Sequence, residues 1–174
     1  MAARLDFATL DLQDALDLAI LIEEEAMERY QEFQKLVGGR YKGDASDVFK
    51  VMAENEGKHR AELVARRTQL FKGAPVRVDR DWLDDVEAPD RGTPRVFMGP
   101  RQAFELALQS EEKAHDYFAG ALPHVKDARV KALFEELRGE ELQHKRYIKK
   151  LLANLPPGPD VEEQDADEPG SDGG

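Results

Sequence analysis

The sequence predicts an all-α protein, a four-helix bundle of two antiparallel helix hairpins joined by a long crossover. Three observations predict it. Apolar residues recur at three- and four-residue spacing through four long stretches, the period of one helical face. About seven residues join the first stretch to the second and about five the third to the fourth, short enough to make antiparallel neighbours. Lys72 to Gly99 then separates the two pairs by nearly thirty residues, long enough to run the length of a bundle.

The first helix is expected from about Leu12 to Val37, with Asp11 or Thr9 as its N-cap and Gly38-Gly39 as its stop. Its apolar face reads Leu16, Ala19, Ile20, Ala26, Met27, Tyr30 and Phe33. The second runs from about Ser46 to Phe71, with Val48, Phe49, Met52, Ala53, Leu63 and Leu70 turned inward, and Gly73 and Pro75 end it. Gly99-Pro100 starts the third, proline being well suited to a first turn. That helix carries Phe104, Ala107, Leu108, Ala114, Phe118 and Leu122. The fourth spans about Asp127 to Leu155 and carries Val130, Leu133, Phe134, Leu137, Ile148, Leu151 and Leu152, with Pro156 closing it. Trp82, the sole tryptophan, is expected to anchor the crossover to the bundle, and Arg66-Arg67 to form surface salt bridges.

Composition narrows the function. With 174 residues, 41% of them hydrophobic, one domain over residues 1–155 has apolar material for a core. Cysteine is absent, which excludes disulfides, thiolate zinc and iron–sulfur sites, and cysteine nucleophiles. A net charge of −11 argues against nucleic acid or an anionic membrane as a partner. No apolar run is long enough to span a membrane, and MAARLDFATLD lacks the pattern of a secretory signal. A cytoplasmic location is therefore expected. Seven of the acidic residues lie from Asp160 onward with no basic residue among them, and residues 156–174 are expected to be a disordered, solubilising acidic tail.

The hairpins repeat one another. Leu18–Ala26 aligns with Leu106–Ala114 at an offset of 88, and Phe49–Glu56 with His59 aligns with Phe134–Glu141 and His144 at an offset of 85. Such a repeat implies a pseudo-two-fold axis and a central site drawing on both halves. Charged residues stand in the apolar stripe at matching points. Glu23 interrupts the first helix's stripe, Glu56 and His59 the second's, Glu111 the third's, Glu141 and His144 the fourth's. Desolvating isolated carboxylates costs several kcal/mol each, by order of magnitude, unless a counter-charge is supplied. No Lys or Arg occupies the same level of these stripes, so metal cations are the economical answer. Glu and His three apart share one helical face and can reach one cation. Oxygen and imidazole donors suit iron, manganese or zinc. A third such pair, Glu112 and His115, lies at the edge of the stripe; His115 reads as a partly exposed histidine, with an extra ligand as the alternative. His124, beside Pro123, reads as ordinary surface.

The stretches Glu23-Glu24-Glu25-Ala26-Met27-Glu28-Arg29-Tyr30, Glu56-Gly57-Lys58-His59, Glu111-Glu112-Lys113-Ala114 and Glu141-Leu142-Gln143-His144 resemble the ferritin-like di-iron carboxylate superfamily, most closely its rubrerythrin-like branch without a rubredoxin domain. The resemblance covers about residues 12–155 and implies a ferritin-like bundle. It implies two iron ions per chain, with Glu23 and Glu111 as terminal ligands, Glu56 and Glu141 as bridging carboxylates, and His59 and His144 as one imidazole for each iron. Two departures stand out. Peroxide-reducing rubrerythrins usually carry a further Glu three after the helix-three ligand, where this chain has Ala114, and a cysteine-ligated electron-entry module, which this chain lacks. The remaining six-ligand pattern resembles a bacterioferritin-type ferroxidase centre.

The resulting expectation is a di-iron oxidoreductase that oxidises Fe(II) with hydrogen peroxide or oxygen, acting in iron and oxidative-stress handling. The alternatives are a donor-dependent peroxidase needing a separate electron carrier, and a non-catalytic iron-binding, storage or cargo subunit. Tyr30 is the candidate for a redox or hydrogen-bonding role beside the metals, core packing being the other reading. A homodimer or higher homo-oligomer is the expected assembly.

Overall fold

The computed structural model describes residues 5–83, 86–92 and 97–157. Four long helices dominate it: α1 (Leu12–Val37), α2 (Ala45–Phe71), α3 (Pro100–Ala121) and α4 (Ala128–Asn154). Short 3-10 turns occupy Arg80–Trp82 and Leu122–His124, and the described residues include no strand. The expected helix limits stand within one residue. From residue 158 onward the expected acidic tail lies outside the described residues. Among the described residues no helix is long and apolar enough to cross a membrane.

Local chemistry sets the helix ends. Asp11, not Thr9, caps α1, its carboxylate accepting from the Asp14 N–H at 2.9 Å. Gly38 ends the helix at φ +63°, a conformation glycine adopts without steric cost. Asp44 caps α2 by accepting from the Asp47 N–H, and also from the N–H groups of Arg40 and Tyr41 in the preceding turn. Pro100 opens α3, and Asp127 caps α4 through the N–H groups of Arg129 and Val130.

The helices pack as the hairpins α1–α2 and α3–α4. Their core is divided. One apolar cluster holds Leu16, Leu18 and Ile22 with Leu63, Phe118, Leu133, Phe134 and Leu137. The other holds Tyr30 and Phe33 with Val48, Phe49, Met52, Leu106 and Ile148. Positions 23, 56, 111 and 141 fall between them along every helix. The bundle is thus two dry plugs with a polar layer between.

The crossover climbs the length of α1. Gln13 donates to the Pro75 carbonyl, Arg77 pairs with Asp11 and Asp14, Arg80 with Glu28, and Arg91 with Glu32. Val78, Leu83 and Val86 join the first apolar cluster, with Trp82 packed against it as expected.

Two expectations are corrected. Leu70 is 51% exposed: on the last turn of α2 it is the neighbouring Phe71 that packs against the first apolar cluster. Arg67 is buried and makes no surface salt bridge. Its guanidinium forks onto Asp17 at 2.8 and 3.1 Å and donates to the carbonyls of Lys72 and Ala74. That one side chain ties α1, the end of α2 and the start of the crossover together. Arg66 does meet the solvent, pairing with Glu136 at 3.0 Å.

Breaking a buried ion pair on one side leaves an uncompensated charge, so Asp17→Ala is expected to cost about 3 kcal/mol in urea unfolding. Asp44 gives a pH signature. Burial works to raise its pKa, but the N–H groups of Arg40, Asp47, Tyr41 and Ser46 outweigh it and hold the carboxyl below its usual 3.8. A depressed carboxyl contributes stability that is full above the unfolded value and lost as pH falls through the folded one. Asp44→Ala should therefore cost about 1 kcal/mol at pH 7. Urea unfolding at successively lower pH should show that gap closing below pH 3.8.

Candidate metal centre

The structure brings all six residues expected at the site into the polar layer. Helix α1 delivers Glu23, α2 delivers Glu56 and His59, α3 delivers Glu111, and α4 delivers Glu141 and His144. They form two sets matched by the sequence repeat. In one, His59 Nδ1 lies 3.5 Å from Glu56 Oε2 and 3.8 Å from Glu23 Oε2. In the other, His144 Nδ1 lies 3.2 Å from Glu111 Oε2 and 3.3 Å from Glu141 Oε2. Within each set one ligand atom per residue lies within 4.8 Å of the others. The two imidazoles stack, ring centroids 4.5 Å apart and planes 3° from parallel.

A fifth carboxylate was not expected. Glu87, from the crossover, is 2% exposed and lies within 4.8 Å of Glu23 and Glu141, and equally of Glu56 and Glu111. It therefore touches both sets. Helical periodicity, which singled out the other six, has no purchase on a segment without regular structure. The available signal was local: Val86-Glu87-Ala88-Pro89 places one charge inside a short apolar run.

His115 stays outside the layer, its Nδ1 3.0 Å from Asp116 Oδ1, and His124 is exposed. Tyr30 is buried, stacks on Phe49 at 6.2 Å, and its hydroxyl has no hydrogen-bond partner among the described residues. Burial pushes its pKa well up, and the charges of Glu111 and Glu56 push it further. The phenol is thus held protonated.

The electrostatics are those of a site short of positive charge. Burial raises Glu23, Glu87 and Glu111 well above the usual carboxyl range, and neighbouring carboxylates reinforce it. His59 is pushed up to about 10 by Glu23 and Glu56. For His144 burial works against the charged form, but Glu111 and Glu141 outweigh it and lift the ring to about 11. Glu23 Oε2, Glu56 Oε2, Glu87 Oε2 and His59 Nδ1 are buried without a hydrogen-bond partner. Orphaned acceptors in such number are costly unless a cation takes them up. The residues fit a pair of iron, manganese or zinc ions, since every donor is a carboxylate oxygen or an imidazole nitrogen.

The layer is enclosed unequally. The imidazoles are about a quarter exposed, whereas the carboxylates of Glu56, Glu111 and Glu141 are nearly sealed. A cavity of about 210 Å³ leads to them, lined by Met52, Asn55, Glu56, His59, Glu111, His144, Tyr147 and Ile148. No described crossover residue lines it.

A helical bundle with paired carboxylate–carboxylate–imidazole sets at its middle is compatible with a di-metal carboxylate site. The rubrerythrin family model matches residues 14–91, the segment containing Glu23, Glu56, His59 and Glu87. Over that segment, α1, α2 and the first part of the crossover, the chain is similar to the rubrerythrin family. Its bundle is similar to the crystal structure of an uncharacterized conserved protein from Magnetospirillum magnetotacticum, with a TM-score of 0.67 at 24% identity over 86% of this chain and 99% of that one. A hypothetical protein from Pyrococcus furiosus is similar at a TM-score of 0.53 and 21% identity, over 83% and 89% of the two chains. At those identities the likeness is one of fold. No curated protein matches the chain.

Metal binding should stabilise the fold strongly. A site filled at 100 times its Kd adds about 2.7 kcal/mol, so two sites should raise the melting temperature by more than about 10 °C. Calorimetry of the chelator-stripped protein with and without Zn(II) checks this. An unchanged melting temperature at saturating Zn(II) would remove the metal reading.

Proposed function

We propose that this chain is a di-metal oxidoreductase, binding two iron ions and oxidising Fe(II) with hydrogen peroxide or oxygen as the acceptor. The observation that carries the reading is the matched pair of Glu/Glu/His sets, brought together in a buried layer that opens through its imidazoles. Manganese or zinc would suit the same donors. Iron held there supplies two one-electron couples side by side, matching the two electrons that peroxide requires.

The chain's own residues set the conditions. Glu23, Glu56 and His59 would hold one ion, and Glu111, Glu141 and His144 the other. The nearly sealed carboxylates would hold the ions away from solvent, with an apolar cluster on either side of the layer. The 210 Å³ cavity admits a small oxidant beside His59 and His144. Tyr30, held protonated by burial and by the charges of Glu111 and Glu56, would be the phenol available for a hydrogen-bonding or redox role beside the metals.

Glu87 favours one second reading, a donor-dependent peroxidase. The extra carboxylate that the resemblance places three after Glu111 is Ala114 here, and Glu87 restores the number of carboxylates from another element. That reaction would draw on a separate electron carrier. A homodimer or larger homo-oligomer is the proposed assembly.

Anaerobic loading with two Fe(II) per chain, followed by hydrogen peroxide or oxygen, should give a rapid ferric absorption. The Glu56→Ala/Glu141→Ala variant should be slower by at least about 100-fold, since changes merely adjacent to metal ligands already cost 10- to 100-fold. A faster reaction with peroxide marks peroxide as the acceptor, and the converse marks oxygen. If neither oxidant separates the wild type from the variant, the redox reading falls and a storage, cargo or structural metal role replaces it.

A further inference from the structure

Glu87 is the one member of the polar layer that no helix delivers. It lies in the crossover, whose backbone is held from both hairpins directly beyond it. Arg29 of α1 donates to the Pro89 carbonyl. Lys113 of α3 donates to the Ala88 carbonyl at 2.9 Å and pairs with Asp90 at 3.0 Å. These contacts aim the residue before them into the layer. There its carboxylate meets Glu23, Glu56, Glu111 and Glu141. Its Oε2 is buried without a hydrogen-bond partner.

A carboxylate so placed serves no packing or capping purpose that an apolar residue would not serve better. Ionised together, five carboxyls at one level repel one another, so the layer by itself gives Glu87 little to hold it. A cation reaching Glu87 reverses the sign of the interaction. We propose that Glu87 is a metal ligand shared by the two halves of the site, so that metal loading and docking of the crossover are one linked event. This inference rests on the di-metal reading above and deepens it. The helices supply two equivalent sets, and the crossover closes over both with one side chain. By linkage, whatever tightens metal binding through Glu87 tightens the docked crossover by the same factor.

The test uses the full chain and Co(II), whose visible spectrum reports coordination. Amide hydrogen exchange across residues 86–92 is measured without metal and with two Co(II) per chain. In the wild type, Co(II) should slow exchange in this segment by tenfold or more. Glu87→Gln keeps the shape and removes one charge from a crowded set, so its metal-free fold should be at least as stable. It should bind Co(II) about tenfold or more weakly, show an altered Co(II) spectrum, and lose the metal-dependent protection of residues 86–92. Glu87→Ala should do the same. If the wild type takes up no Co(II), the di-metal reading itself is wrong. If it takes up two ions and Glu87→Gln matches it in affinity, spectrum and crossover protection, the proposal for Glu87 is overturned and the six-residue site stands.

Discussion

Five carboxylates desolvated at one level of a helical bundle are the constraint on which the remaining structure depends. Burying a single unpaired charge costs several kcal/mol, while a whole domain is stable by only about 5–15 kcal/mol. Such a layer persists only with support above, below and within. Above and below lie the two apolar clusters, which hold the helices at fixed spacing without any contribution from the layer. Within it stand His59 and His144, both pushed strongly toward protonation by the carboxylates beside them. Cations relieve the arrangement far better, because they satisfy carboxylates on several helices at once.

The division of the core also explains why the site was legible in the sequence. Glu23, Glu56, His59, Glu111, Glu141 and His144 stand in stripes whose neighbouring members, such as Ile20, Met52, Leu63, Ala107, Leu137 and Ile148, are apolar, so a helical period exposes them as intruders. The repeat at offsets of 88 and 85 then pairs them before any coordinates are known. Glu87 had no such frame. Its position follows from where Arg29 and Lys113 grip the crossover, which is a tertiary fact. Arg67 escaped for a related reason. Beside Arg66 it looks like half of a basic surface pair, and only the return of the crossover at Lys72 and Ala74 encloses it. Leu70 errs the other way: at the end of α2 Phe71 takes the place against the apolar cluster and leaves Leu70 exposed.

The pseudo-symmetry of the hairpins stops at the crossover. A chain of two equivalent hairpins needs one connection to run the length of the bundle, and that connection covers only one flank. Here it follows α1 and reaches α3 through Lys113, whereas the cavity leading to the layer is lined from α2, α3 and α4. The carboxylates are sealed and the imidazoles are left accessible. The cavity therefore opens onto His59 and His144.

This asymmetry extends to the two sets themselves. His144 lies within hydrogen-bonding distance of both its carboxylates, whereas His59 stands 3.5 and 3.8 Å from its own and has no partner. The α3–α4 set is accordingly held together by internal bonds, and the α1–α2 set is the looser half. A smaller cavity reaches this same His59, lined by Glu62, Glu136 and Glu140 with Arg66. Acidic groups around a narrow opening raise the local concentration of cations. A repeat that began as two equal hairpins thus yields two unequal halves, distinguished by the connection that covers one flank and the carboxylates that line the other.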